Sequence, residues 1–364
     1  MKQRLFVTLS LAGLAMATFG ATKPKTAIKS LNKTTIQQPT YTEWHDLQVN
    51  AINRFPLHTN FFTYPADDWV SEKDGKIVSK DILHMNKTES KYFLSLDGTW
   101  KFYWVANADQ RPTDFYKEDL DDSKWKTMNV PGNWEMNGFG DPEYVNNGFA
   151  WREHFNEQPP AVPTKDNHVG SYRRIIDIPA NWDGKQVVAH FGSVTSNIYL
   201  YVNGKFAGYA EDSKVAAEFD ITPYLKKGKN LIAFQTFRWC DGSWDEDQDF
   251  WRLSGVARES YLFARDAKLH LEDIRVTPDL VNNYKDGVLN ISTKVKGTGK
   301  LNFILFDKEG KQVATATGLA KNGTANITMN VENPHKWNAE TPYLYTLQVS
   351  LSSALKNGNM KSAS

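Results

Sequence analysis

The feature that most constrains the fold is a succession of short runs of β-branched and aromatic residues bounded by Gly, Pro, Asp or Asn. From Tyr92 onward these runs read YFLSLDGTWKFYWV, SYRRIIDI, VVAHFG, NIYLYVNGKFAGYA, AEFDIT, NLIAFQTFRW and ESYLFA. Such residues favour pleated, half-buried surfaces, and turn residues at this spacing are typical of an all-β sandwich. Asn203-Gly204 predicts a tight hairpin because both residues tolerate positive φ.

A second set of runs follows Arg265 and reads LHLEDIRVTPDL, GVLNISTKVKG, KLNFILFDKEG, VATATG, ANITMNV and YLYTLQVSL. About seven short strands at this spacing predict an immunoglobulin-like sandwich. The 364 residues are enough for two or three domains. Between the strands, Asp119 to Asn133 is interpreted as a surface connection anchored by Trp125, and Gly140 to Arg174 as a long functional loop stiffened by prolines.

The amino-terminal residues of the chain indicate where the protein is located. Residues 1–21 combine basic residues, a short apolar run and small residues, which predicts a secretory signal peptide and an exported, periplasmic or extracellular protein. No other run approaches the roughly 18 apolar residues of a membrane span.

The charge of the chain is nearly balanced. Because it has 43 basic and 42 acidic residues, a nucleic-acid partner is not expected. Cys240 is the single cysteine, so no intrachain disulfide can form, and we expect a buried, unreactive thiol.

The segment Arg238 to Gly255, RWCDGSWDEDQDFWRLSG, carries the most distinctive chemistry. Carboxylates can accept hydrogen bonds from sugar hydroxyls, and flat rings can cover the apolar face of a sugar, so the mixture suggests a sugar or metal site. A solvated acidic turn between strands is an equally open interpretation. A calcium loop starting at Asp245 is excluded, since its sixth position is Phe250 and its twelfth is Val256.

Three tryptophans and one histidine also have structural interpretations. The tryptophans of this segment, Trp239, Trp244 and Trp251, could stack on sugar but are more typical of a sandwich core. His58, in the irregular apolar segment Trp44 to Pro65, is interpreted as a structural hydrogen-bonding residue because no second His or Cys stands at metal-ligand spacing.

Several motifs in order resemble the amino-terminal part of the family 2 β-galactosidases. They are NRFPLHTNFF, LDGTWKF, VPGNWE, PEYVNN, PPAVPT, VGSYRR, VNGKFAGYAEDSKVAAEFDIT, RWCDGSWDEDQDFWRLSGVARESYL and PHKWNAETPYLY. The resemblance implies a jelly-roll sugar-binding-type sandwich, an immunoglobulin-like sandwich and then a (β/α)₈ barrel. The predicted organisation is therefore a signal peptide (1–21), an N-terminal arm packing on other domains (22–90), the jelly roll (91–265), the immunoglobulin-like sandwich (266–355) and a disordered tail (356–364).

The resemblance also implies which site residues this chain carries. Asp249 matches the aspartate that contacts galactose hydroxyls and, in some members, sodium; Asn146 matches the loop asparagine at the mouth of the site, with its neighbour Asn147 as the second candidate. The family's two catalytic glutamates belong to the barrel, so no catalytic residue is assigned here. Asn156-Glu157 copies the acid/base motif but lies in a proline-rich loop, and we interpret it as a coincidence.

Three functional hypotheses remain open at this stage. The first is a portion of a β-galactosidase, which hydrolyses terminal β-galactose with retention, inactive without its barrel but supplying scaffold and the edge of the galactose site. The alternative is a free-standing exported carbohydrate-binding module. A third is a fragment that complements a separately made barrel. The expected partners are a β-galactoside and the barrel; no cofactor is required by this chain, while magnesium, sodium or calcium is possible in the full enzyme by resemblance.

Overall fold

The protein is described by a computed structural model over residues 38–73, 76–79, 83–146, 158–246, 248–353 and 362–363. The predicted signal peptide, most of the predicted tail, Asn147 and the Asn156-Glu157 pair lie outside these residues. Within the described ranges, no helix is long and apolar enough to cross a membrane. The helices there are short: α1 (Ala66–Trp69) and the 3₁₀ turns η1 (Glu43–His45), η2 (Lys87–Glu89), η3 (Ala108–Gln110), η4 (Glu135–Asn137), η5 (Ala180–Trp182), η6 (Thr222–Tyr224) and η7 (Asp241–Trp244).

The fold is all-β, a jelly-roll sandwich followed by an immunoglobulin-like sandwich. The strands up to the end of the first sandwich are β1 (Ala51–Ile52), β2 (Val70–Lys73), β3 (Lys76–Ser79), β4 (Phe93–Ser95), β5 (Gly98–Val105), β6 (Lys126–Val130), β7 (Gly132–Asn133), β8 (Glu143–Val145), β9 (Val169–Ile178), β10 (Gln186–Phe191), β11 (Val194–Thr195), β12 (Ile198–Val202), β13 (Lys205–Ala210), β14 (Ala217–Asp220), β15 (Gly228–Phe237), β16 (Phe250–Arg252), β17 (Gly255–Val256) and β18 (Ser260–Arg265). The second sandwich contains β19 (His270–Val281), β20 (Asp286–Lys296), β21 (Gly299–Phe306), β22 (Gln312–Ala320), β23 (Thr324–Val331), β24 (Thr346–Ser353) and β25 (Ser362–Ala363).

Two antiparallel sheets enclose the core of the jelly roll. One has the order β1-β13-β12-β15-β9-β5-β6 and the other β14-β10-β18-β4. Between them lie large aromatic side chains such as Trp100, Tyr172 and Phe234, each almost fully buried. Burial of one such side chain stabilises the fold by about 1.5–3 kcal/mol. Their polar atoms keep partners: the Trp100 indole N–H donates to the Leu96 carbonyl at 2.9 Å, and the Trp134 indole N–H donates to the Tyr172 hydroxyl at 2.5 Å.

The strand β12, sequence IYLYV, is buried along its whole length because both of its faces are covered. Ile198, Leu200 and Val202 belong to the core between the sheets. Tyr199 and Tyr201 point the other way into a second aromatic cluster, where residues near Trp44 pack over them. The N-terminal segment therefore completes the jelly roll.

The predicted hairpin at Asn203-Gly204 is confirmed. Asn203 has φ 49° and Gly204 has φ 75°, and Val202 pairs with Lys205 across the turn. Positive φ at both central residues gives the turn whose twist matches the flanking strands.

The boundaries of two predicted connections were wrong. The segment Asp119 to Asn133 contains β6, which pairs with β5 at the edge of the large sheet. Only Met128 and Val130 of β6 face the core, so its sequence shows little apolar alternation. The long loop ends earlier than Arg174, because β9 starts at Val169. Trp125 packs on the second aromatic cluster, in agreement with its predicted role as an anchor.

The second sandwich pairs a sheet of order β19-β20-β23 with one of order β22-β21-β24-β25. Its core contains Leu301, Phe303 and Leu351, none of which is exposed to solvent. Residues 54–62 form the strap, a segment without regular secondary structure that leads from the jelly roll to this sandwich, where Phe61 packs against the second core.

Candidate functional site

The acidic and aromatic segment Arg238 to Gly255 divides into a buried part and an exposed part. The buried part follows β15 and includes Cys240 and Asp241 at the start of η7. The exposed part leads into β16 and carries Asp249, Phe250 and Trp251 on the surface. Asp247 lies outside the described residues. The two parts therefore differ in their access to solvent.

The exposed part forms a two-stranded ribbon with β8. Phe250 pairs with Val145, Trp251 with Tyr144 and Arg252 with Glu143. Asn146 directly follows Val145 and Asp249 directly precedes Phe250, so the two residues lie next to the last pair of this register, and both are exposed. The fold thus brings together two of the predicted site residues, 103 positions apart in the sequence numbering.

Tyr144 is a member of this site that the sequence did not single out. Its hydroxyl donates to Asp249 Oδ1 at 2.5 Å, and its ring contacts that of Trp251 edge-on, with centroids 5.5 Å apart. The hydrogen bond to the Asp249 carboxylate raises the pKa of Tyr144. The only signal in the sequence was the position of Tyr144 in PEYVNN, two residues before Asn146. Among the described residues, Asp249 accepts this hydrogen bond from Tyr144, and a carboxylate has further lone pairs with which to bind a ligand.

Arg238 links the ribbon to the jelly roll. Its guanidinium donates to Glu143 Oε2 at 2.9 Å and lies over the Trp239 ring at 4.9 Å. Trp239 is buried, as expected of a core residue, whereas Trp251 is 48% exposed and leaves part of its ring free for contact. Trp244 is half-buried and its indole N–H donates to the Ala161 carbonyl at 3.1 Å.

A cleft of about 410 Å³ separates the ribbon from the loop that follows β13. Its walls carry charges of both signs, including Lys214, Arg252, Asp212 and Glu246. Glu246 accepts a hydrogen bond from the Ser213 backbone N–H at 2.8 Å, so this acid shapes the loop.

The buried part contains a compact group of ionisable side chains. Ligand atoms of Glu211, Cys240 and Asp241 lie within 4.8 Å of one another, and the two acids are 6% and 5% exposed. Burial raises the pKa of Glu211 to about 9, and the Asp241 carboxylate adds to that shift. Burial likewise raises the pKa of Asp241 and of the Cys240 thiol. The thiol is buried, as predicted.

The hydrogen bonds of this group show what it can hold. Tyr209 donates to Glu211 Oε1 at 2.6 Å, and the Gly242 backbone N–H donates to Asp241 Oδ1 at 2.9 Å. Asp241 Oδ2 is buried and has no hydrogen-bond donor among the described residues. A proton on Glu211 would supply that donor, and an oxygen-seeking cation such as magnesium or calcium would also satisfy the two carboxylates. The predicted metal ligand Asp249 does not belong to this group.

Two family models match the chain. The model described as "Glycosyl hydrolases family 2, sugar binding domain" matches residues 93–266, and the model "Glycosyl hydrolases family 2" matches residues 269–361. The chain belongs to glycosyl hydrolase family 2.

Within that family, the chain is similar to proteins named β-galactosidase. It is 36% identical over 327 residues to the β-galactosidase of Priestia megaterium, an alignment that covers 86% of this chain and 30% of the relative. It is 33% identical over 317 residues to the β-galactosidase large subunit of Leuconostoc lactis, covering 84% of this chain and 48% of the relative. The chain thus spans less than half the length of either relative.

Solved structures support the fold. A glycosyl hydrolase family 2 member from Bacteroides cellulosilyticus aligns with a TM-score of 0.54 at 22% identity, covering 74% of this chain and 35% of that one. The Bifidobacterium dentium β-glucuronidase aligns with a TM-score of 0.56 at 18% identity, covering 74% of this chain and 46% of that one.

Proposed function

We propose that this chain forms part of a β-galactosidase and supplies its scaffold and the edge of its galactose site, without cleaving the glycosidic bond itself. The observation that carries the proposal is the pairing of Val145 with Phe250, which places the adjacent residues Asn146 and Asp249 at the same end of an exposed ribbon. Ionised Asp249 accepts hydrogen bonds from sugar hydroxyls, Asn146 and its neighbour Asn147 offer amide groups, and the exposed ring of Trp251 contacts the apolar face of the sugar.

The same geometry supports binding rather than catalysis. Retaining glycosidases need two carboxylates about 5–5.5 Å apart beside the scissile bond. In the described part of the chain, Glu211 and Asp241 are close together but buried, so they cannot reach a glycosidic oxygen. We propose that the two catalytic carboxylates come from a barrel of the kind that the family carries, and that any magnesium, sodium or calcium acts there. We also propose export through residues 1–21.

The test compares residues 22–364 alone with the same chain mixed with a barrel-bearing fragment of a family relative. We expect no hydrolysis of nitrophenyl β-galactoside by the chain alone and hydrolysis in the mixture. Asp249→Asn should raise the KM of the mixture about tenfold, because the substrate loses one charge-assisted hydrogen bond. Asp245→Asn is the matched control, because Asp245 is also exposed and lies four residues away. Turnover by the isolated chain that survives Asp249→Ala would contradict the assignment of roles.

A free-standing carbohydrate-binding module is the second candidate, favoured by the exposure of Phe250 and Trp251 on the ribbon. Calorimetry with galactose or lactose separates the two functions. Saturable binding to the isolated chain at millimolar affinity or better, lost in Asp249→Asn and kept in Asp245→Asn, supports the module. Absence of binding without the barrel fragment supports the enzyme portion.

A further inference from the structure

The strap, residues 54–62, is in contact with both sandwiches. At its start, the Phe55 backbone N–H donates to the Glu218 carbonyl of the jelly roll at 2.9 Å. At its middle, the Thr59 backbone N–H and hydroxyl both donate to Asp273 Oδ1 of the second sandwich at 3.1 Å. Phe61 packs against the second core, while Phe62 contacts aromatic rings of the first sandwich edge-on. The strap therefore joins the two sandwiches.

His58 lies between these contacts and binds a buried carboxylate. Its Nε2 is 2.9 Å from Glu218 Oε2, and the other oxygen of Glu218 is 2.8 Å from His190 Nδ1. Glu218 is only 7% exposed. A buried carboxylate is costly unless charged or hydrogen-bonding partners surround it, and here both oxygens face imidazoles.

The geometry requires a particular protonation state of His58. Its second ring nitrogen, Nδ1, is 2.7 Å from the Thr59 carbonyl oxygen. Both ring nitrogens thus face oxygen acceptors, which only the doubly protonated imidazolium can satisfy, because a neutral imidazole has a single N–H. Deprotonation removes one of the two hydrogen bonds and leaves a lone pair directed at an oxygen.

The electrostatic environment favours the same state. Burial alone would raise the pKa of Glu218, but hydrogen bonds from His190 and His58 outweigh it and lower the pKa to about 2. The hydrogen bond to Glu218 raises the pKa of His58, against the opposing effect of burial. Glu218 therefore stays ionised over the range in which His58 titrates.

Other titratable or charged groups surround this cluster, and His190 among them shares the Glu218 carboxylate with His58. They are Asp273, His190, Tyr261, Lys214, Arg258, Glu259 and Arg265. Asp273 holds Thr59, Glu259 contacts the Lys87 ammonium, and Arg265 donates to Gln186 Oε1 at 2.8 Å. The Tyr261 ring stacks on His190 at 4.3 Å and keeps it in place. The Glu218 carboxylate is the acid that His58 contacts directly.

We propose that His58 is a pH-dependent latch: as the imidazolium it holds the strap on Glu218 and against both sandwiches, and its deprotonation loosens the strap. Because the pKa of His58 is higher in the folded protein than the ordinary 6.5, the stabilisation is complete below pH 6.5 and is lost as the pH rises through the folded value. The junction of the two sandwiches is thereby coupled to pH.

Hydrogen exchange of residues 53–62 tests the latch. Protection factors correct for the base catalysis of exchange. Those of the strap should fall about tenfold or more between pH 5.5 and pH 9, because the strap loses one charge-assisted hydrogen bond over that range. A peptide from the centre of the large sheet, residues 169–178, serves as the internal reference and should stay protected. In His58→Gln the strap should be poorly protected at both pH values, since glutamine never carries the charge.

His45→Gln is the matched control, because His45 is an exposed histidine of the same N-terminal segment, and it should keep the wild-type pH dependence. The NMR titration of His58 in the wild-type chain needs no variant and should show a midpoint above 6.5. Strap protection that does not change with pH, a His58 midpoint at or below 6.5, or an unchanged pH dependence in His58→Gln would each overturn the proposal.

Discussion

Replacement of Glu211 by glutamine should stabilise the protein, and by more at alkaline pH than at acid pH. Glu211 is buried beside Asp241, and its pKa is about 9 in the folded chain against the ordinary 4.5. Between these two values the folded state keeps a proton that the unfolded state has released, so each pH unit of increase costs the wild type about 1.4 kcal/mol. Glutamine has nearly the same shape, needs no proton, and its amide can donate to Asp241 Oδ2.

The magnitude follows from the pH interval chosen for the assay. Between pH 5.5 and pH 8.5 the stability difference between Glu211→Gln and the wild type should change by about 4 kcal/mol, the product of three pH units and the cost per unit. Urea unfolding followed by tryptophan fluorescence, with EDTA present so that no cation occupies the carboxylates, measures this difference. The unfolding curve should be fitted with one transition for each sandwich, because chains with two domains need not unfold in a single step.

Two further variants serve as controls for the Glu211→Gln experiment. Glu118→Gln, at the exposed ion pair with Lys226, controls for the replacement of a surface carboxylate. Asp241→Asn should reduce the pH dependence of the wild type, since the Asp241 charge contributes to the raised pKa of Glu211. A difference between Glu211→Gln and wild type that is constant from pH 5.5 to 8.5 would show that Glu211 is ionised throughout and would refute the reasoning.

Two further predictions concern packing and acid stability. Gly170→Ala should destabilise the jelly roll by about 3 kcal/mol in thermal or urea unfolding, the upper end of overpacking costs, because a Cβ there would lie 2.5 Å from the Trp134 ring and 2.7 Å from the Phe102 ring. Gly184→Ala meets nothing within 4 Å and should cost only the strain of its φ of 74°, about 1 kcal/mol; equal costs at the two positions would contradict the packing argument. Burial lowers the pKa of His270 to about 4, so its contribution to stability is lost as the pH falls from 6.5 towards 4. Over that pH range, the free energy of unfolding of His270→Gln should therefore fall by about 3 kcal/mol less than that of the wild type. An equal fall in the two proteins would show that His270 titrates normally.

Much of the fold follows from local patterns in the sequence. The alternation of β-branched and aromatic runs with turn residues predicts both sandwiches, and Asn203-Gly204 predicts its hairpin, because these features depend on backbone preferences within a few residues. Where the local pattern is weak, as at the edge strand β6 with only Met128 and Val130 facing inward, the prediction fails.

The candidate site depended on contacts between distant residues. Sequence motifs singled out Asp249 and Asn146 separately, but the register of β8 against β16 brings them to the same end of the ribbon and adds Tyr144. The approach of Glu211 to Asp241 likewise arises from packing, as does the burial that raises both pKa values. Composition and spacing along the chain predicted most of the strands, with β6 as an exception. Only the tertiary structure decided which side chains meet and how far they are from water, because register and burial depend on the whole sheet.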